Sequence, residues 1–180
     1  RLEQVAEVSE VAGVSLPEIL QSCANTVCLR HRLPADTISL EVAPSVVRAR
    51  PVDLEIVFRN LIDNAVKYAL PQPQVKVESW SNGRGRVLTR VSDNGPGIPA
   101  KLRRKIFGRF VRLGNELERT QAGTGLGLYI VRTLVRRMKG NISVRGRGTQ
   151  RGTVFEVELP GYEPLSLEDH EPRQLAAPVH

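Results

Sequence analysis

Residues 51–70, "PVDLEIVFRNLIDNAVKYAL", constrain this chain more than any other stretch. Pro51 suits a first helical turn, and Pro71 stops the run. Wound at about 100° per residue, Leu54, Val57, Phe58, Leu61, Ile62, Ala65, Tyr68 and Ala69 share one broad arc. An arc that wide must lie against other structure. At its edge Asn60, Asn64 and Lys67 form a narrow polar arc. Asparagine is a mediocre helix former. Two in register beside a lysine fit either a polar cluster offered to a ligand or a solvated face. Amide oxygens are hard, neutral ligands of the kind Mg2+ accepts alongside water and substrate phosphate. A lysine offers phosphate a point charge.

The rest of the pattern supplies what this helix packs on. "SLPEILQSCANTVCLRHR" reads as another helix, with Ser15 as N-cap, Pro17 in the first turn and Glu18 three residues past the cap. Residues 1–13 read as the end of a helix closed by Gly13. "TISLEVA" (37–43), "VVRAR" (46–50), "VKVESW" (75–80) and "RVLTRVS" (86–92) read as strands, the last two joined by the turn "SNGRG". Residues 100–122 are basic and irregular, with a short helix expected over 101–107. "LGLYIVRTLVRRM" (126–138) is helical and ends at Gly140, and "NISVRG" and "TVFEVEL" form a closing strand pair. Helices mixed with antiparallel strands predict an α+β sandwich, with helices on one face of a mixed sheet. The tail from Gly161, rich in Pro, Glu and His, is expected to be loose.

A length of 180 residues fits one domain, and 41% apolar residues supply a real core. Aromatics are only 4%, so that core is Val, Leu, Ile and Ala. They are also too few and too scattered to form a stacking platform for nucleic acid. The net charge of +7 fits a phosphorylated ligand, an anionic surface or a solvated basic face. Cys23 and Cys28 have no partners at metal-ligand spacing, which argues against zinc and for a reduced, cytoplasmic setting. No apolar run approaches a membrane span, and no signal pattern opens the chain. The chain begins without Met, as a fragment would.

Two glycine clusters remain. "GTGLGL" (123–128) opens a helix, where bare backbone N–H groups and the helix dipole favour an anion. It lacks the Gly-Lys-Ser/Thr of a P-loop, and a flexible hinge is the other reading. "DNGPGIP" (93–99) follows a strand. Asp93 can accept a hydrogen bond from an exocyclic amine such as adenine's, and Gly95 and Gly97 leave room for a ring. A capped turn is the plainer alternative.

Together these pieces resemble the ATP-binding catalytic domain of bacterial sensor histidine kinases, within the GHKL superfamily. "NLIDNAVKY" (60–68) is similar to the family's N box, and "DNGPGIP" to its first glycine box. "IFGRFVR" (106–112) is similar to its F box, "GTGLGL" to its second glycine box and "RGTVFEVELP" (151–160) to its closing strand. The resemblance spans residues 14–160, with 1–13 as the end of a dimerisation-domain helix or linker and 161–180 as a tail.

The resemblance implies a Bergerat-type fold, a two-layer sandwich of about five strands in a mixed sheet with three helices on one face. It also implies Mg-ATP, held by residues at the matching positions. Asn64, assisted by Asn60, would ligate Mg2+, Lys67 would approach the phosphates, and Tyr68 would lie near adenine and ribose. Asp93 would take the adenine amine over a floor of Gly95, Gly97 and Ile98, with Thr153 helping through water. Gly123, Thr124, Gly125, Leu126, Gly127 and Leu128 would cover the phosphates, with Phe107 and Phe110 anchoring the lid. Arg109 or Arg112 would reach the γ-phosphate, so Asn60, Lys67 and Arg112 are the expected catalytic set.

The implied reaction is transfer of the γ-phosphoryl group to a histidine on a dimerisation domain outside this chain, and from there to a response regulator. None of His31, His170 and His180 sits in a helical His-Glu/Asp context. The implied parent is a homodimer, cytoplasmic or the cytoplasmic part of a membrane-anchored sensor. The alternatives are a GHKL ATPase and an ATP-sensing pseudokinase. The ATPases of this superfamily place a glutamate base four residues before the metal asparagine. Here that position is Asn60, which cannot accept a proton from water.

Overall fold

Residues 12–111 and 125–162 are described by the structure, a computed structural model. They form strands β1 (Ala12–Ser15), β2 (Ile38–Val42), β3 (Val46–Ala49), β4 (Val75–Ser81), β5 (Arg86–Asp93), β6 (Asn141–Arg147) and β7 (Gln150–Pro160). The helices are α1 (Leu16–His31), α2 (Pro51–Ala69) and α3 (Gly127–Arg137). Five strands make one sheet in the order β2-β4-β5-β7-β6, and β1 pairs with β3 in a separate ribbon. Within the large sheet β2 and β4 run parallel, and every other neighbouring pair is antiparallel.

Strand alternation decides which face the helices cover. Val75, Val77 and Ser79 of β4 are buried, as are Val87, Thr89, Val91 and Asp93 of β5. Register aligns Val77, Val91, Phe155 and Val144 across four strands. The other face is polar. Arg90 pairs with Glu156 at 2.6 Å and lies over the Trp80 ring at 4.6 Å, and Arg86 pairs with Glu158 at 2.7 Å. Such half-exposed pairs each contribute at most about 1 kcal/mol. Their effect is to keep this face wet while the helices take the other.

On the covered face α2 lies between α1 and α3. Leu54, Val57, Phe58, Leu61, Ile62 and Ala65 are buried, as the helical period requires. Tyr68, expected on the same arc, is 49% exposed, and Val66 closes the arc instead. Here the last turn of α2 runs alongside the loop after β5, whose Gly95 backbone meets the Tyr68 carbonyl. Cys23 and Cys28 are free and buried in the α1 face. Burial pushes the Cys23 thiol up to about 11 and raises Cys28 as well, so both stay protonated at neutral pH.

Three expectations are corrected. Residues 12–13 do not close a helix, because they are extended in β1 against Arg48 and Ala49. The Tyr162 ring lies over Gly13, and its N–H donates to the Val46 carbonyl at 2.9 Å, so the ordered backbone runs past Pro160. The helix expected over 101–107 is two short 3-10 turns, Ala100–Leu102 and Lys105–Phe107. The bonds there are of the i→i+3 type, such as Leu102 N–H to Pro99 C=O (2.8 Å) and Gly108 N–H to Lys105 C=O (2.9 Å).

A buried ion pair fixes α3 against α2. Asp53, in the first turn of α2, is 3% exposed, and both its oxygens lie 2.8 Å from Nη2 of Arg137 in the last turn of α3. Removing Arg137 strands a buried carboxylate. We expect Arg137→Ala to cost about 2 kcal/mol, less than the roughly 3–5 kcal/mol for breaking a fully buried pair, because the arginine itself is half exposed. Urea unfolding of Arg137→Ala beside Arg137→Lys measures this, and equal midpoints for wild type and Arg137→Ala would refute it.

Candidate functional site

The end of β5, the start of β7, the C-terminal half of α2 and the N-terminus of α3 meet at one end of the sandwich. Asp93 is the last residue of β5 and is 4% exposed. Its Oδ1 accepts from the N–H of Gly95 at 2.8 Å and from the N–H of Thr153 at 3.2 Å. Its Oδ2 has no hydrogen-bond partner among the described residues. Burial raises the Asp93 carboxyl pKa from its ordinary value, while the two backbone N–H groups and the Arg147 charge oppose that rise. The result is a fixed acceptor with one oxygen uncommitted.

Around Asp93 the backbone is packed too closely for side chains. A Cβ on Gly95 would stand 2.9 Å from the Tyr68 carbonyl oxygen. Gly97 has φ 84°, and a Cβ there would press on the Gly152 carbonyl at 3.2 Å. Gly152, with φ 130°, leaves no room at all, because a Cβ would overlap the Asp93 carbonyl oxygen. Asn94 ties the turn to its neighbour, accepting from Gln74 N–H at 2.8 Å and donating to the Gln72 carbonyl at 2.9 Å. Arg147 donates to the Asp93 carbonyl at 3.2 Å. Sequence reasoning missed Gly152 and Arg147. A glycine inside the alternating run after Gln150 marks close backbone approach and was the available signal. Arg147 had none.

On α2 the two asparagines differ. Nδ2 of Asn60 donates to the Ile56 carbonyl at 2.7 Å, and Oδ1 faces Gly127, where a Cβ would lie 2.9 Å away. Asn64, one turn on, is half-buried with no hydrogen bond among the described residues. Lys67 follows on the same arc, with Nζ 5.7 Å from the Tyr68 ring centroid. The N-terminus of α3 therefore abuts the asparagine arc, and its unpaired N–H groups make that spot favourable to an anion. Leu126 precedes the helix and accepts from Ile130 N–H at 2.9 Å, and Leu128 packs on the core.

The turns of residues 100–107 wall one side. The Ile98 carbonyl accepts from Arg103 Nε at 3.0 Å. Phe107 is buried edge-on against Phe155, with centroids 6.3 Å apart. Phe110, expected as a second anchor, is instead 71% exposed. Its φ of 58° turns the chain, so that its backbone rather than its ring meets Gly125. Arg109 stacks on Tyr129 at 4.7 Å and donates to its hydroxyl at 2.7 Å, which lowers the Tyr129 pKa. Arg112, Gly123 and Thr124 lie outside the described residues. His31 is tied to Asp63 at 2.9 Å, which Arg30 also meets at 3.3 Å, so this histidine staples α1 to α2.

Residues 49–163, from the strand end before α2 to just past β7, match the family described as histidine kinase-, DNA gyrase B- and HSP90-like ATPases. The chain belongs to that family. Sensor histidine kinase AruS of Pseudomonas aeruginosa is 36% identical over 166 residues, 88% of this chain and 17% of AruS. Sensor protein kinase WalK of Staphylococcus haemolyticus is 37% identical over 133 residues, 69% of this chain and 22% of WalK. The chain thus spans about a fifth of these curated relatives. Two solved structures are similar over nearly their whole length. The mycobacterial sensor histidine kinase MprB gives a TM-score of 0.72 at 28% identity, covering 86% of this chain and 99% of that one. The catalytic domain of histidine kinase ThkA gives 0.71 at 28%, covering 84% and 95%. The fold is that of histidine-kinase ATP-binding domains, and the expected five-stranded mixed sheet with three α-helices on one face is present among the described residues.

Proposed function

We propose that this chain is the ATP-binding catalytic domain of a sensor histidine kinase, acting on a histidine carried elsewhere in its parent protein. The observation that carries the reading is Asp93, a buried carboxylate with Oδ1 held by two backbone N–H groups and Oδ2 uncommitted. That oxygen suits the adenine amine, with Gly95, Gly97 and Ile98 as the floor and Thr153 fixing the acceptor. Tyr68 would border the adenine and ribose. The triphosphate would run toward the asparagine arc and the α3 N-terminus, where Lys67, Gly125, Leu126, Gly127 and Leu128 supply charge and backbone donors. Arg109 or Arg112, with Gly123 and Thr124, would complete that end.

The donor set also fits Mg2+. Asn60 and Asn64 offer neutral amide oxygens on one face of α2, and no cluster of three His, Cys, Asp or Glu side chains competes among the described residues. When bound, the ion would neutralise charge on the phosphates. The protein's part is positioning and electrostatic stabilisation. The acceptor imidazole nitrogen attacks the γ-phosphorus, the bond to the β,γ-bridging oxygen breaks, and ADP leaves.

Hydrolysis is disfavoured by the residues of α2. Asn60 stands where the related ATPases carry their glutamate base, and its amide nitrogen is tied to Ile56. The carboxylates of Asp53 and Asp63 are engaged by Arg137 and by His31 and Arg30. The parent would be a homodimer with a histidine-bearing dimerisation domain and a cognate response regulator. This domain would work in the cytoplasm, by itself or as the cytoplasmic part of a membrane-anchored sensor. No helix among the described residues is long and apolar enough to cross a membrane.

Calorimetry with ATP, with and without Mg2+, tests the binding half. Wild type should bind more tightly with Mg2+, and Asn64→Ala should lose that gain. Adding the parent's histidine-bearing segment and γ-labelled ATP tests transfer and should give an acid-labile phosphohistidine. Absence of ATP binding would overturn the whole reading, and phosphate release without protein labelling would favour the ATPase.

A further inference from the structure

Between the turns of residues 100–107, α3 and β6 lies a second cleft of about 510 Å³. Asp93, Asn60 and Asn64 do not line it. Arg103, Arg104, Arg132 and Arg136 surround it, with Ile142 and Val144 of β6 along its apolar side. No carboxylate lines the cleft, and no ion pair joins any of the four arginines among the described residues. β6 is an edge strand, so the backbone groups on its outer side are unpaired in the sheet. Positive charge, an apolar strip and a free strand edge together call for one chemistry, an extended acidic peptide.

The chain itself contains such a peptide. Residues 163–180 carry four acids (Glu163, Glu168, Asp169 and Glu171) against one Arg173, a net charge of −3, while residues 1–162 carry +10. In "LSLED" (165–169) the two leucines fall on one side of an extended strand, and acids follow directly. Glu158 of β7 pairs with Asn141 at the start of β6, so the chain leaves the sheet at the end where the cleft begins. Tyr162 is fixed on Val46, and the six residues from there to Glu168 span roughly 20 Å when extended.

We propose that residues 163–171 dock along the β6 edge, with Leu165 and Leu167 on Ile142 and Val144 and the three acids at 168, 169 and 171 among the four arginines. The docked segment would bridge the turns that hold Ile98 to α3, and so join two walls of the nucleotide site from outside.

The test uses the full chain and no nucleotide, so it stands apart from the kinase reading. Gln174→Cys is labelled with a nitroxide, since Cys23 and Cys28 are buried and protonated. Amide signals of residues 141–144 are then read at low salt. They should lose at least half their intensity relative to the reduced label. R132E/R136E should restore them, and so should 1 M salt acting on the wild-type surface, which covers the case of a misfolded variant. Unaltered intensities at low salt, or broadening that survives both treatments, would overturn the proposal. Broadening seen only between an isotope-labelled chain and a separate spin-labelled chain would place a second copy's tail there and would also overturn it.

Discussion

Asp93→Asn is expected to weaken nucleotide binding about a hundredfold, roughly 2.7 kcal/mol, while leaving the nucleotide-free domain at least as stable as wild type. The two effects separate because the two carboxylate oxygens do different work. Oδ1 takes the Gly95 and Thr153 N–H groups, and an asparagine oxygen can take both. Oδ2 becomes an NH2 group, which would face a donor, the adenine amine, with another donor. Two opposed donors in a closed site forfeit about one to three kcal/mol.

Stability moves the other way, because burial raises the Asp93 pKa. The folded domain then holds its proton to higher pH than the unfolded chain, whose aspartates titrate near about 3.9. Wherever the folded state binds more protons, stability falls as pH rises. Asp93's contribution is thus fully present below the unfolded value and is lost as pH rises through the raised folded one. The asparagine variant lacks that loss. Its stability relative to wild type should climb from about pH 4 and level off above the folded pKa. Urea unfolding across that range, paired with calorimetry, reads both effects. A variant that binds ATP like wild type would remove Asp93 from the adenine site.

What the sequence disclosed and what it hid follow from range. The α2 period, the strand alternation and the turn after β5 are local, and each was legible from a few consecutive residues. The hydrogen bond from Thr153 to Asp93 was not. Thr153 lies 60 residues away, and its N–H reaches the carboxylate only because β5 and β7 pair with Ser92 opposite Val154. Asp53 and Arg137 are 84 apart and meet only because α3 packs on α2. Local reading also failed where tertiary packing overrode it. Tyr68 keeps the helical period yet turns outward, and Phe110 carries an aromatic ring that its backbone conformation leaves exposed. In the site, the resemblance named the residues around Asp93 and on the asparagine arc, but no motif signalled that Gly152 is what lets β7 come so close.

Gly152→Ala should therefore be the most damaging glycine-to-alanine change among the described residues, costing on the order of 4 kcal/mol, in the range where one substitution can unfold a small domain. Its φ of 130° is strained for any L side chain, and its Cβ would overlap the Asp93 carbonyl oxygen. That oxygen is backbone, fixed at the end of β5, and Arg147 already donates to it. Relief would need β7 to move off β5, which would also pull the Thr153 N–H from the Asp93 carboxylate. Two other glycines calibrate the effect. Gly83→Ala has φ 70° but open space, so it should cost only about 1 kcal/mol for the backbone conformation. Gly97→Ala, with φ 84° and 3.2 Å to the Gly152 carbonyl, should fall between. Thermal unfolding of the three variants ranks them directly. If Gly152→Ala melts no lower than Gly83→Ala, the backbone around Asp93 yields easily, and the carboxylate is not held by a rigid frame.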